Sequence, residues 1–141
     1  MRSCEEILNP YEHCTDITIE EVQSYLAKIQ PDIKDGKFTI SRENEKTISF
    51  LENSEYISIT EKIKSVLLSL TYKNFCWYQK GENAGDLLFI FRYDGKFLKL
   101  VKGGPKEDTL IIYIKTNKKE KSTLVLSFHP SDNPESLTPL F

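Results

Sequence analysis

Leu-Ile-Ile-Tyr-Ile-Lys (110–115) and Leu-Val-Leu-Ser-Phe-His (124–129) decide the fold. Both are rich in β-branched, aliphatic and aromatic residues. The polar stretch from Asn117 to Ser122 between them reads as the loop of a hairpin. Side chains alternate along a strand, so Leu110, Ile112 and Ile114 share one face, as do Leu124, Leu126 and Phe128. Pairing these two apolar sets sets the parity of the register, because a slip of one residue would bury Lys115. The other face then gathers Ile111, Tyr113, Lys115, Val125, Ser127 and His129. A phenol, an ammonium, a hydroxyl and an imidazole on one sheet surface are suited to handling a phosphodiester. An ordinary half-wet sheet face carries the same pattern.

The segments before this hairpin complete the sheet. From Tyr72 onward the composition is of β type: Phe75-Cys76-Trp77-Tyr78-Gln79 is an aromatic segment, and Leu87 to Tyr93 reads as a strand. Asp94-Gly95 is a hairpin turn signal, and Lys96 to Lys102 alternates as a strand that would pair back. Lys102-Gly103-Gly104-Pro105 reads as a further turn. Nearer the N-terminus, Ile19, Val22, Tyr25, Leu26 and Ile29 follow helical spacing with Thr15, Asp16 and Thr18 as cap candidates, and Pro31 is expected to end that helix. Lys37 to Ser41 alternates as a strand, and residues 47–52 fit either a strand or a short helix. Ile63, Val66, Leu67 and Leu70 form the apolar stripe of a helix running to about Ser69. Helices first and an antiparallel meander afterwards imply one α+β domain with helices on one face of a mostly antiparallel sheet. The expected division is a mainly helical part with one or two strands (1–71), the meander (72–129) and an extended tail (130–141) anchored at Leu140 and Phe141.

The composition is ordinary for a globular protein of 141 residues. No apolar run approaches the roughly 20 residues that span a bilayer, and the N-terminus lacks the pattern of a signal peptide. A cytoplasmic protein without a membrane partner is expected. Cys4, Cys14 and Cys76 suggest no disulfide framework. Cys4 with His13-Cys14 hints at zinc, but no second Cys or His pair stands at ligand spacing, so neither a metal nor a cofactor is expected. Net charge is −2, which weighs against a nucleic-acid partner, yet residues 1–71 sum to −5 and residues 72–121 to +5. That asymmetry fits an anionic ligand on one surface. It equally fits lysines that solvate the outer positions of hairpins.

The order of segments resembles the MqsR-like toxins of bacterial toxin–antitoxin systems, within the wider RelE-type ribonuclease superfamily. The likeness spans roughly residues 20–135. It runs through the helix Val22 to Ile29, then Ile33-Lys34-Asp35-Gly36-Lys37 and Arg42-Glu43-Asn44. It continues through the helix exit Val66 to Thr71 with Asn74-Phe75. It closes on Ile112-Tyr113-Ile114-Lys115 and Val125-Leu126-Ser127-Phe128-His129-Pro130, which are its most specific motifs. Trp77 stands where the family has a basic residue, and Lys80 is the nearest cation. The polar strand residue expected near Phe89 to Phe91 is missing, with Arg92 close by. Residues 94–109 are longer than the family's usual connection.

The resemblance implies an endoribonuclease that cuts mRNA, free or on the ribosome, and is neutralised by a cognate antitoxin protein. Its catalytic candidates are Tyr113, Lys115 and His129. Arg92, Lys80 and Ser127 are the substrate-binding candidates, with no metal. Metal-independent cleavage requires removal of the 2′-OH proton, stabilisation of the phosphorane and protonation of the 5′-oxygen, giving 2′,3′-cyclic phosphate and 5′-OH ends. Imidazole ordinarily titrates near neutral pH, so His129 is the first choice for acid or base. Tyr113 would share proton transfer or position the phosphate, and Lys115 and Arg92 would hold its oxygens. The alternative is a non-catalytic RNA- or protein-binding module on the same fold.

Overall fold

A computed structural model describes residues 1–52 and 55–141, and among these the chain forms an α+β domain. Three helices, α1 (Ile19–Lys34), α2 (Glu45–Glu52) and α3 (Ile59–Ser69), lie on one face of a five-stranded sheet. The strands are β1 (Phe38–Ile40), β2 (Phe75–Lys80), β3 (Leu87–Val101), β4 (Gly104–Lys118) and β5 (Thr123–Pro130), in spatial order β1-β5-β4-β3-β2. β1 runs parallel to β5, and every other pair is antiparallel. No helix is long and apolar enough to cross a membrane among the described residues.

The helix-side core joins Val22, Leu26, Ile29 and Ile33 of α1 and Ile63, Val66 and Leu67 of α3 to Phe75, Phe91, Ile112, Ile114, Val125 and Phe128 of the sheet. Thr18 begins α1 with reciprocal bonds: its Oγ1 accepts from Glu21 N–H at 3.1 Å, and the Glu21 carboxylate accepts from Thr18 N–H at 3.0 Å. Pro31 does not end the helix, which continues to Lys34. The carbonyl that loses its partner belongs to Ala27. Both residues are exposed, so that carbonyl is on the solvent side of the helix, while Ile29 and Ile33 remain fully buried on the opposite side. A penalty of about 3 kcal/mol for an interior proline is thus offset by burial of an isoleucine worth roughly 1.5–3 kcal/mol.

Residues 47–52, ambiguous in sequence, belong to helix α2. Asn44 caps it by accepting from Thr47 N–H at 2.9 Å. Thr47 is fully buried, and its Oγ1 accepts from Phe128 N–H at 3.0 Å. One threonine therefore fastens α2 to β5 immediately before His129.

Two sequence expectations fail on the strands. Asp94-Gly95 makes no turn: β3 continues through it, with Asp94 opposite Ile111 and Gly95 opposite Leu110. Gly95 is instead a site of close approach. A Cβ there would meet the Tyr93 ring at 2.4 Å, so the glycine gives that ring its seat on the sheet. The true hairpin lies at Lys102-Gly103, closed by Val101 opposite Gly104, where Gly103 and Gly104 take φ of 103° and 120°, a region glycine enters freely. β3 and β4 accordingly form a ribbon of 15-residue strands.

The second failure is one of parity. β4 and β5 pair as Tyr113 with His129, Ile114 with Phe128 and Lys115 with Ser127, and then jump to Thr116 with Val125. Leu126 is the extra residue of a β-bulge. Val125 therefore points into the helix-side core, fully buried, while Leu124 and Leu126 turn to the open face. A second bulge between Phe75 and Trp77 does the same on β2: Phe75 and Tyr78 join the helix-side core, and Cys76 and Trp77 join a small cluster on the open face with Leu88, Ile90 and Leu137.

The C-terminal segment crosses that open face. Ser131 N–H donates to Ile111 O and Leu140 N–H to Phe75 O, both at 2.8 Å. Its main anchor is Leu137, buried in the open-face cluster. Leu140 is half-buried, and Phe141 is exposed although its ring lies against Tyr72 and Phe75.

Replacing Thr47 by valine keeps the shape but strands the Phe128 N–H in the interior. Thr47→Val is expected to lower stability by about 1–3 kcal/mol, read as a lower urea midpoint with unchanged slope.

Candidate active site

The open face of the sheet holds a cleft of about 560 Å³ between α2, β4, β5 and the C-terminal segment, lined by Tyr113, Lys115, Ser127 and His129 among others. The register makes this grouping unavoidable. Tyr113 is the direct neighbour of His129, and Lys115 of Ser127, and all four lie on the same side of the bulge. The Tyr113 and His129 rings stack at 5.5 Å, and Lys115 Nζ stands 5.9 Å from the centre of the Tyr113 ring. The three residues named as catalytic candidates are thus brought together.

His129 is 7 % exposed, yet its ring faces the cleft and stays out of the helix-side core. Its Nδ1 lies 2.9 Å from the carbonyl oxygen of Pro130. A carbonyl can only accept, so the neutral ring carries its proton on Nδ1 and its lone pair on Nε2. Burial pushes the Tyr113 phenol up to about 12, so at neutral pH it is a hydrogen-bond donor. Burial also lowers the Lys115 ammonium from its ordinary value. Among the described residues no carboxylate stands within 4.0 Å of it. The Glu82 carboxylate, which lines the adjoining cleft, opposes that shift from beyond ion-pair distance, so the half-buried cation keeps its donors for an anion that enters the cleft.

The three substrate-binding candidates divide. Ser127 lines the cleft, and its Oγ accepts from the Asn44 amide at 3.2 Å. Lys80 lies in a neighbouring cleft of about 750 Å³ that shares Lys115, Ser127, Glu43 and Asn44 with the first, and its Nζ donates to Ile7 O at 3.3 Å. Arg92 sits beside Tyr113 in the register but lines neither cleft. Its guanidinium is committed to the Asp94 carboxylate at 2.7 and 3.0 Å and to the Pro134 and Leu137 carbonyls at 3.2 and 3.0 Å. Arg92 clamps the C-terminal segment and is not carried into the site.

Sequence reading missed what α2 and the N-terminal arm supply. Asn44, the cap of α2, reaches Ser127, and Lys46 forms an ion pair with Asp132 where both line the cleft. The polar run Arg42-Glu43-Asn44 ahead of an apolar-periodic stretch is the signal that could have found the cap. His13 stacks on Trp77 at 3.8 Å, and Trp77 lies 6.5 Å from Tyr113, so aromatic rings extend from β5 across the open face. Cys76 lies in the apolar cluster beneath, its thiol pushed up to about 12 by burial. Among the described residues no three His, Cys, Asp or Glu side chains converge to hold a metal ion.

Scans against protein-family models, curated proteins and solved structures find no match to this chain.

Because its folded pKa lies below that of an unfolded lysine, Lys115 binds fewer protons in the native state, and stability rises with pH through that window. Lys115→Met is therefore expected to raise the urea midpoint at pH 7. The gain should shrink as pH approaches the ordinary lysine range near about 10.4. Unfolding curves across that range check both parts.

Proposed function

We propose that this chain is a metal-independent endoribonuclease, the mRNA-cutting toxin of a toxin–antitoxin pair of the MqsR-like kind. The observation that carries the reading is the shared cleft of His129, Tyr113 and Lys115, where among the described residues one imidazole nitrogen has no hydrogen-bond partner, the phenol is protonated and the ammonium has no carboxylate at ion-pair distance. These are the three chemical parts that transesterification of RNA asks for.

His129 Nε2 takes the proton from the ribose 2′-OH as that oxygen attacks the adjacent phosphorus. Lys115 holds the non-bridging oxygens as charge builds in the phosphorane. Tyr113, kept protonated by burial, donates toward the departing 5′-oxygen, which leaves as a 5′-OH, and the phosphate closes as a 2′,3′-cycle. Ser127, fixed by Asn44, lies beside Lys115 to orient the phosphate. The resemblance in the Tyr-x-Lys and Ser-Phe-His motifs supports mRNA as substrate, with or without the ribosome, and a cognate antitoxin as partner.

A positioned acid or base contributes about 10²–10⁴ in rate. Purified His129→Ala protein is therefore expected to lose at least about 100-fold in cleavage of an unstructured RNA. Cleavage by the wild-type chain should survive EDTA and leave cyclic-phosphate ends. A change of less than about threefold in the variant, or cleavage abolished by EDTA, contradicts the assignment.

A further inference from the structure

Beside the proposed catalytic cleft, the 750 Å³ cleft holds a side chain that the mechanism does not use. Asn117 is 4 % exposed, and its residue lines this cleft. It stands two places along β4 from Lys115, about 7 Å at strand rise, on the same face. Among the described residues its amide makes no side-chain hydrogen bond, although buried amides are nearly always paired. Leaving such a group unpaired costs stability, so a ligand that completes its bonding is the natural reading.

The surroundings say what kind of ligand. Leu88 and Leu124 are the cross-strand neighbours of Asn117, and with Leu126 they give the cleft an apolar floor. Both β5 leucines reach this face because of the bulge. The rim carries the carboxylates Glu43, Glu82 and Asp86, the last paired with Lys119, beside Lys80 and Lys115. An apolar floor with a carboxamide at its edge suits a heterocycle, whose faces are apolar and whose edge is polar. The amide offers a donor and an acceptor side by side. Adenine presents a matching acceptor and donor at N7 and N6, whereas guanine presents two acceptors on the same edge. Lys115 belongs to both clefts, so a phosphate held there leaves the attached nucleoside within reach of Asn117.

We propose that this second cleft seats an unpaired adenine of the RNA strand next to the scissile phosphate, with Asn117 reading its N6/N7 edge. The inference rests on the ribonuclease reading for the identity of the strand, and it makes Asn117 a specificity residue.

Oligodeoxynucleotides lack the 2′-OH and so bind without being cut. Fluorescence anisotropy of the full chain with labelled oligodeoxyadenylate, oligodeoxycytidylate and oligothymidylate is expected to show a preference for oligodeoxyadenylate of about fivefold or more. Asn117→Leu should abolish that preference while holding or raising the urea midpoint, because it removes an unpaired buried amide. Equal binding of the three strands, a preference for another base, a preference that survives Asn117→Leu, or a variant with a lowered midpoint each overturns the proposal. Adenine preference in a wild-type protein that cuts no RNA would defeat the ribonuclease reading and leave this pocket standing. RNA cleavage without base preference would do the reverse.

Discussion

The single extra residue at Leu126 is the constraint on which the two faces of the sheet depend. β5 must give Val125 and Phe128 to the helix-side core, and both are fully buried there. It must also give Ser127 and His129 to the open face. Strict alternation cannot meet both demands, because Val125, Ser127 and His129 would share one side. The bulge inserts one residue between the pairs Lys115–Ser127 and Thr116–Val125, so inward and outward sets are satisfied on both flanks. Thr47 holds the result in place, its hydroxyl accepting from Phe128 N–H between the two outward residues.

The same device explains which parts of the molecule were legible in sequence. Tyr113, Lys115 and His129 lie on the near side of the bulge, where alternation from Phe128 and Ile114 holds, so their shared face could be read from spacing. Leu124 and Leu126 lie at or beyond it, and alternation placed them on the wrong side. Bulges carry no composition signal of their own here: both occur within apolar runs, Phe75 to Tyr78 and Leu124 to Phe128, where either parity leaves an apolar residue inward. Asp94-Gly95 misled for a different reason. The dipeptide suits a type I′ turn, but the glycine is needed for the Tyr93 ring, and the pairing that decides the turn comes from the facing strand. Pro31 misled because a proline's cost depends on where its orphaned carbonyl points, and the face exposed to water is settled by tertiary packing. Arg92 shows the limit of reading a site from residue type: its strand pairs with β4 and not across an Asp94-Gly95 turn, and its guanidinium is claimed by the C-terminal segment, whose path over the open face has no periodic signature.

The open face departs from the rules that the rest of the chain obeys. Among the described residues elsewhere, buried polar groups are matched: the Tyr25 hydroxyl meets Thr116 Oγ1 at 2.7 Å, Thr123 meets Asp32 at 2.9 Å, and Tyr78 meets Asp16 at 2.7 Å. Lys118, at the end of the same strand as Lys115, and Lys119 just past it pair with Asp32 and Asp86. Lys115 and Asn117 break the pattern within three residues of one another. Two such violations on one strand face two clefts that meet at one of them, and each lowers stability, the pattern of a site kept for its chemistry at a cost in stability.

That argument also bears on the choice between a catalyst and a passive binder. A binding face gains from cations on a solvated surface, where they steer a polyanion at little cost to folding. The eleven Lys and Arg residues of 72–121 include many such exposed groups. Lys115 is placed differently: among the described residues it is half-buried with no carboxylate within ion-pair distance, lowered in pKa by that burial, and its Nζ stands over a phenol whose proton is held more tightly for the same reason. Desolvation of this kind contributes nothing to steering, but it strengthens the interaction of each group with charge that develops beside it. That placement is the one the proposed catalytic role of these residues calls for, and a passive binding role has no use for it.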